Sequence, residues 1–154
     1  NIAGIVSSYA IVPNQELRER FFNWLEASEM SAPHLFAPIA TMAAFRYGEP
    51  WRQQMLRYVE GNIEFIEDFC ARHIPQIKPI RPQASFLVWL DCREMGLSQE
   101  ALVDFFVDKA HLALNDGTAF GQEGTGFMRL NVASSRSVLE KAMKQLAEAY
   151  AQTI

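Results

Sequence analysis

The chain has 154 residues, 49% of them hydrophobic and 21% charged, with 18 acidic side chains against 14 basic ones and a formal net charge of −4. That balance suits one globular domain burying roughly 70% of its unfolded surface, and mild acidity without long like-charge runs excludes a nucleic-acid or membrane-surface footprint and leaves small molecules or proteins as partners. The longest apolar stretch, Phe36 to Phe45, is too short to span a bilayer and is broken by Pro38 and Thr41, while two cysteines, Cys70 and Cys92, fit a reducing, cytoplasmic setting.

The opening Asn1-Ile-Ala-Gly4 has neither Met nor a signal-peptide pattern, so more chain is expected before Asn1. Ile5 to Val12, rich in β-branched and aromatic residues and closed by Pro13-Asn14, reads as a strand. Asn14 caps a predicted helix whose apolar positions Leu17, Phe21, Trp24 and Leu25 recur at helical spacing and which ends before Ser31. Pro33 and Pro38 suit the first turns of a second helix. Gly48-Glu-Pro50 stops it with a left-handed glycine and starts the next, with Pro at the first position. From Trp51 the residues Met55, Val59, Ile63, Ile66, Phe69 and Cys70 form one stripe of a long helix ending near Pro75, a helix able to bridge two lobes.

Phe86 to Leu90 is an unbroken apolar run and is predicted as a fully buried strand. Ser98 caps the following helix, with Leu97 and Leu102 placed as a hydrophobic staple and Leu102, Phe105, Phe106 and Ala110 facing inward. A short strand at Leu112 to Leu114, a glycine-punctuated loop and a strand at Phe127 to Val132 come next. A last helix starts in Ser134 to Ser137 and buries Val138, Leu139, Ala142, Met143, Leu146 and Tyr150. From about Lys78 onward this is an α/β sandwich with helices over one face of a small sheet. Residues 1 to 48 hold one strand and two helices, too little for their own sheet, which implies pairing with other chain.

The most chemical stretch is Asn115 to Ala133. Gly121, Gly124 and Gly126 give a backbone that a ligand can approach, and Arg129 follows on a strand whose alternate residues Met128, Leu130 and Val132 are apolar, so Arg129 faces the other way. Its guanidinium fork suits a planar carboxylate. An ordinary half-exposed strand arginine and a plain hairpin remain open readings of the same residues. A phosphate loop is excluded because no Lys-Ser/Thr comes after the glycines and the next element reads as a strand. His34, His73 and His111 are scattered without ligand spacing, so no metal site is expected. No Gly-x-Ser-x-Gly turn supports a hydrolase, and Lys78, Lys109, Lys141 and Lys144 occupy a loop and polar helix positions, none resembling a desolvated Schiff-base lysine.

The block Phe120-Gly-x-x-Gly-x-Gly-Phe-x-Arg129-Leu-Asn-x-Ala133 resembles the signature around the substrate-carboxylate arginine of fold type I, pyridoxal-phosphate (PLP) dependent enzymes, the aminotransferase class I/II superfamily. The opening Asn1-Ile-Ala-Gly-Ile5 resembles the segment just after the Schiff-base lysine in the cystathionine β-lyase-like branch. Gly48-Glu-Pro-Trp51 and the strand end Trp89-Leu-Asp91 match further. The resemblance covers essentially the whole chain. It implies an α/β C-terminal part of such an enzyme: residues 1–48 as the end of the large PLP-binding domain, 49–77 as an interdomain helix, and 78–154 as the small domain.

The same resemblance places the catalytic lysine just before Asn1, so this chain by itself is expected to be inactive. It makes Arg129 the clamp on the substrate α-carboxylate, PLP the cofactor, and a homodimer acting on amino acids the functional form, by transamination or, as the opening favours, by elimination of a sulfur group. Val6 stands where aspartate-type aminotransferases carry a phosphate-binding arginine, which also favours the lyase branch; no residue of this chain is assigned to the cofactor. Two other classes fit the residues: a free-standing amino-acid or carboxylate-binding module using Arg129, and a non-catalytic dimerisation domain.

Overall fold

The structure, a computed structural model, describes residues 3–32 and 34–153; Asn1, Ile2 and Pro33, on which the opening motif and one helix-start signal fall, lie outside the described residues. The chain divides into two compact units, Asn1–Gln54 and Met55–Ile154.

In the first unit, α1 spans Gln15–Ala27, α2 spans Ala37–Tyr47, and α3, Glu49–His73, begins. Asn14 caps α1 as expected, its Oδ1 accepting the Leu17 N–H at 3.0 Å and so satisfying one of the donors a helix start leaves open. The expected strand over Ile5 to Val12 does not form. Ala3–Ile5 is a single 3-10 turn, and Val6 takes φ 50°, which ends extended geometry at a β-branched residue. The Val12 and Pro13 carbonyls accept instead from Arg18 Nη1, at 3.0 and 3.3 Å. Without a neighbouring strand, the β propensity of this stretch has no ladder to act on.

Gly48 is also not left-handed, at φ −80°. Its value lies in space: a Cβ there would sit 2.4 Å from the Ala44 carbonyl oxygen, so only glycine lets α2 and α3 succeed each other with one residue between. At the start of α3, hydrogen bonds from Arg52 and then Gln53 hold the Glu49 carboxyl down at about 2. No residue of α1 is buried, and Tyr9, Leu17, Phe21, Trp24, Phe45 and Trp51 are all exposed.

In the second unit, β1 (Lys78–Ile80), β2 (Leu87–Asp91), β3 (Asn115–Asp116) and β4 (Phe127–Asn131) form an antiparallel sheet in the order β1-β2-β4-β3. Two helices join it: α4 (Gln99–Asp104), which widens into a π turn over Phe105–Lys109, and α5 (Arg136–Ala151). Val88 and Leu90 of β2 and Met128 and Leu130 of β4 pack against Val59, Ile63, Ile66 and Cys70 of α3, Leu102 of α4, and Leu139, Met143 and Leu146 of α5. Each large aliphatic side chain so buried stabilises the unit by roughly 2 kcal/mol. Adjacent Phe105 and Phe106, at the start of the π turn, are both buried in the core and meet edge to face at 5.4 Å. Ser98 caps α4 through the Ala101 N–H, between partly buried Leu97 and buried Leu102, as the staple requires.

Four expectations need correction here. Lys78 lies on β1 and not in a loop; with one large apolar side chain in three residues, this strand has no pattern of its own and is defined by pairing with β2. Phe86 to Leu90 is not fully buried: β2 alternates, with Val88 and Leu90 inside and Leu87, Trp89 and Asp91 half-buried, because the helices cover one face of the sheet. The third strand is Asn115–Asp116 and not Leu112 to Leu114, since only the later pair reaches β4. Val138 is exposed, while Ala149 takes the inward position, the α5 stripe running Leu139, Met143, Leu146, Ala149. Both cysteines pack in the core as small apolar groups, and burial pushes each thiol up to about 12.

Among the described residues Asn62 is the one fully buried polar side chain. Its amide donates to the Val132 and Ser134 carbonyls at 2.9 and 3.1 Å, and its Oδ1 accepts from Arg136 Nε at 3.0 Å, tying α3 to the end of β4 and the start of α5. Asn62→Ala leaves two carbonyls and a guanidinium N–H without partners, so urea denaturation is expected to show a loss of about 3 kcal/mol.

Candidate functional site

The strand register places Ile80, Trp89, Arg129 and Asn115 in one cross-strand row, Ile80 opposite Trp89, Trp89 opposite Arg129, and Arg129 opposite Asn115. Alternation puts this row on the face away from the core, since Leu90 and Met128 of the adjoining row point into it. Arg129 therefore stands where the sequence pattern put it. Its guanidinium lies over the Phe120 ring at 4.1 Å, its Nη2 donates to Asn115 Oδ1 at 3.0 Å, and its Nε is buried without a hydrogen-bond partner. Trp89 meets the rings of Phe120 and Phe127 edge-on, at 5.5 and 6.1 Å, and with Ile80, Glu123 and Gly124 these rings line a recess of about 240 Å³.

The Asn115 to Gly126 segment holds this geometry by crossing itself. A Cβ on Gly117 would lie 2.2 Å from the Gly124 oxygen and 2.6 Å from the Phe127 oxygen, and one on Gly124 would lie 2.0 Å from the Gly117 oxygen. The glycines expected to admit a ligand are thus partly used by the loop against itself, and Gly117, nearly as crowded as Gly124, carries no signal in the glycine pattern. Gln99, at the start of α4, locks the loop from the other side: its amide donates to Asp116 Oδ1 at 2.6 Å and its carbonyl accepts from Gly126 N–H at 2.7 Å. Burial would raise the Asp116 carboxyl, but the hydrogen bonds from the Thr118 backbone and hydroxyl and from Gln99 outweigh it and lower the group. Beside this, Arg93 chelates Asp91 through two bonds of 2.9 and 2.7 Å and lies over the Phe127 ring at 4.9 Å.

The other candidates do not gather here. His34, His73 and His111 are exposed and separate, and among the described residues no group of three or more His, Cys, Asp or Glu is close enough to hold a metal. No described helix is long and apolar enough to cross a membrane. Lys78, Lys109, Lys141 and Lys144 are all exposed, and Lys78 pairs with Glu94.

No family model matches the chain. It is 34% identical to cystathionine beta-lyase PatB of Bacillus subtilis over 97% of its own length and 38% of that protein's, and 31% identical to protein MalY of Escherichia coli over the same shares. The crystal structure of cystalysin from Treponema denticola, which contains a pyridoxal 5'-phosphate cofactor, superposes with a TM-score of 0.94 at 27% identity, covering 99% of this chain and 39% of that one. The chain matches the C-terminal part of PLP-dependent, fold type I enzymes, with cystathionine beta-lyases among its curated relatives. It spans about 38% of the length of the curated relatives it matches, the C-terminal part of the fold.

For this superfamily the residues present fit the amino-acid end of a PLP site and not the cofactor end. An unpartnered, buried guanidinium N–H fits a carboxylate, whereas no exposed lysine offers the desolvated amine that a Schiff base needs. Two outcomes are expected for the scaffold. Gly117→Ala should cost about 3 kcal/mol in thermal or urea unfolding, because its new methyl meets backbone on two sides. Since Asp116 titrates lower folded than unfolded, its contribution is complete above the unfolded value and lost as pH falls through the folded one; Asp116→Asn should therefore flatten the loss of stability that sets in as pH falls below about 5 and runs on below the ordinary carboxylate range.

Proposed function

We propose that this chain is the substrate-carboxylate-binding part of a PLP-dependent enzyme acting on amino acids, one that eliminates a sulfur group from the β-carbon. The buried, unpartnered Nε of Arg129 carries this reading. Burying an N–H without a partner costs about 1 to 3 kcal/mol, so its presence beside an open sheet face argues for an anion that completes it. A carboxylate placed there accepts two parallel charge-assisted bonds from the fork, which fixes both its position and its plane. Phe120 beneath the guanidinium, with Trp89 against it, excludes water from one side and strengthens that pairing. Holding the carboxylate fixes the Cα–H bond and the side chain relative to the reacting groups.

PLP, when bound, supplies the sink for the electron pair left at Cα. In this reading the lysine that would hold it lies just before Asn1, residues 1–48 end the large domain, 78–154 form the small domain, and the helix of 49–77 links the two. With L-cysteine the balanced reaction breaks the Cβ–S bond and consumes one water, giving pyruvate, ammonia and hydrogen sulfide. The similarity to PatB, a cystathionine beta-lyase, supports elimination over transamination. A cytoplasmic homodimer is the form we propose, supported by the large exposed apolar side chains of residues 3–54.

In the full-length protein loaded with PLP, Arg129→Ala is expected to lower kcat/KM for L-cystathionine by roughly 2 to 5 kcal/mol of transition-state stabilisation, read as pyruvate release. A loss below about threefold would return Arg129 to a structural role.

A further inference from the structure

We infer that Asn115 is a positioning residue for Arg129, and that its neutrality is what the site requires of it. The inference rests on the reading of Arg129 as the carboxylate site. Asn115 stands directly opposite Arg129 on β3, and its Oδ1 accepts from Nη2 at 3.0 Å. That bond takes one donor of the fork and leaves Nε, which has no partner, with the remaining N–H groups for a planar anion. Phe120 fixes the guanidinium plane from below, at 4.1 Å, and Asn115 fixes its rotation within that plane.

β3 is two residues long and would be a poor support by itself, but its second residue is clamped. Asp116 accepts from the Thr118 N–H, the Thr118 hydroxyl and the Gln99 amide, and Gln99 accepts from Gly126 N–H, so the strand cannot drift from β4. An acceptor in this place must orient the cation without neutralising it. A carboxylate at position 115 would form the same hydrogen bond and then compete with the substrate for the same charge. Isosteric replacement should accordingly be worse than truncation, an order that a packing role would reverse.

The test is the KM of the full-length, PLP-loaded protein for L-cystathionine in Asn115→Ala, Asn115→Asp and Arg129→Ala, with melting temperatures measured in parallel. Asn115→Ala is expected to raise KM about tenfold, the fold-change of roughly one charge-assisted hydrogen bond, and to change kcat less than about twofold. Asn115→Asp should raise KM further than Asn115→Ala while keeping the melting temperature closer to the parent's. If Asp at this position matches the parent or outperforms Ala, the inference is overturned, and so it is if both variants bind as the parent does while Arg129→Ala does not. Should Arg129→Ala itself leave KM unchanged, the failure belongs to the carboxylate reading beneath it. A uniform drop in melting temperature with KM unaltered would assign Asn115 to the sheet alone and overturn the inference as well.

Discussion

Antiparallel alternation is the constraint on which the second unit depends. Core packing fixes which residues of β2 and β4 point inward, Val88, Leu90, Met128 and Leu130, and a slip of one residue would turn the whole set outward. Once that register is set, Trp89 and Arg129 have no choice of face. The hydrophobic core thus specifies the position of the charged group by exclusion, through the thickness of the sheet, without touching it. Ile80 and Asn115 join the row only because β1 and β3 dock on the edges of a pair already in register.

The loop between β3 and β4 converts that position into an orientation. Its self-crossing at Gly117 and Gly124 shortens the path so that Phe120 returns over the sheet to lie under Arg129. Gln99 belongs to α4, whose own place is set by Leu102, Phe105 and Phe106 in the core. Helix packing on one face therefore reaches the loop on the other through one side chain with a donor and an acceptor, bridging Asp116 and Gly126. A hydrogen bond of this kind adds about 1 kcal/mol to stability, but its greater effect here is to remove freedom from the group that must stay aimed.

How much of this is legible in the sequence depends on whether the signal is local. The period-two run Met128, Leu130, Val132 exposes Arg129 to view, and the Ser98 cap with its Leu97 and Leu102 staple marks α4, because each signal lies within a few residues of the feature it specifies. The strand expected at Ile5 to Val12 fails because β propensity is a preference for a pleated neighbour, and none stands beside it among the described residues. Asn115 and Gln99 carry no such mark, being 14 and 27 residues from the groups they hold, Arg129 and Gly126; no periodicity reports a pairing that only the fold creates. Trp89 reads as part of a buried apolar run for a related reason: a continuous run hides the alternation that sends every second residue to the open face.

The state of Arg129 also bears on why such a group is kept. A cation resting on an aromatic ring, with one N–H cut off from water and unpaired, is less stable than the same arginine fully hydrated or fully paired. A fold selected for stability alone would either expose the group or set a carboxylate beside it, as the second unit does for Arg81 with Glu60 and Glu67 and for Arg93 with Asp91. Those pairs show that acidic partners are readily placed on this unit. At Arg129 the fold places a neutral amide and one aromatic ring, so the charge is oriented and partly desolvated but left uncompensated. The free energy withheld from folding at that point is available to whatever anion arrives, and the geometry admits a flat one.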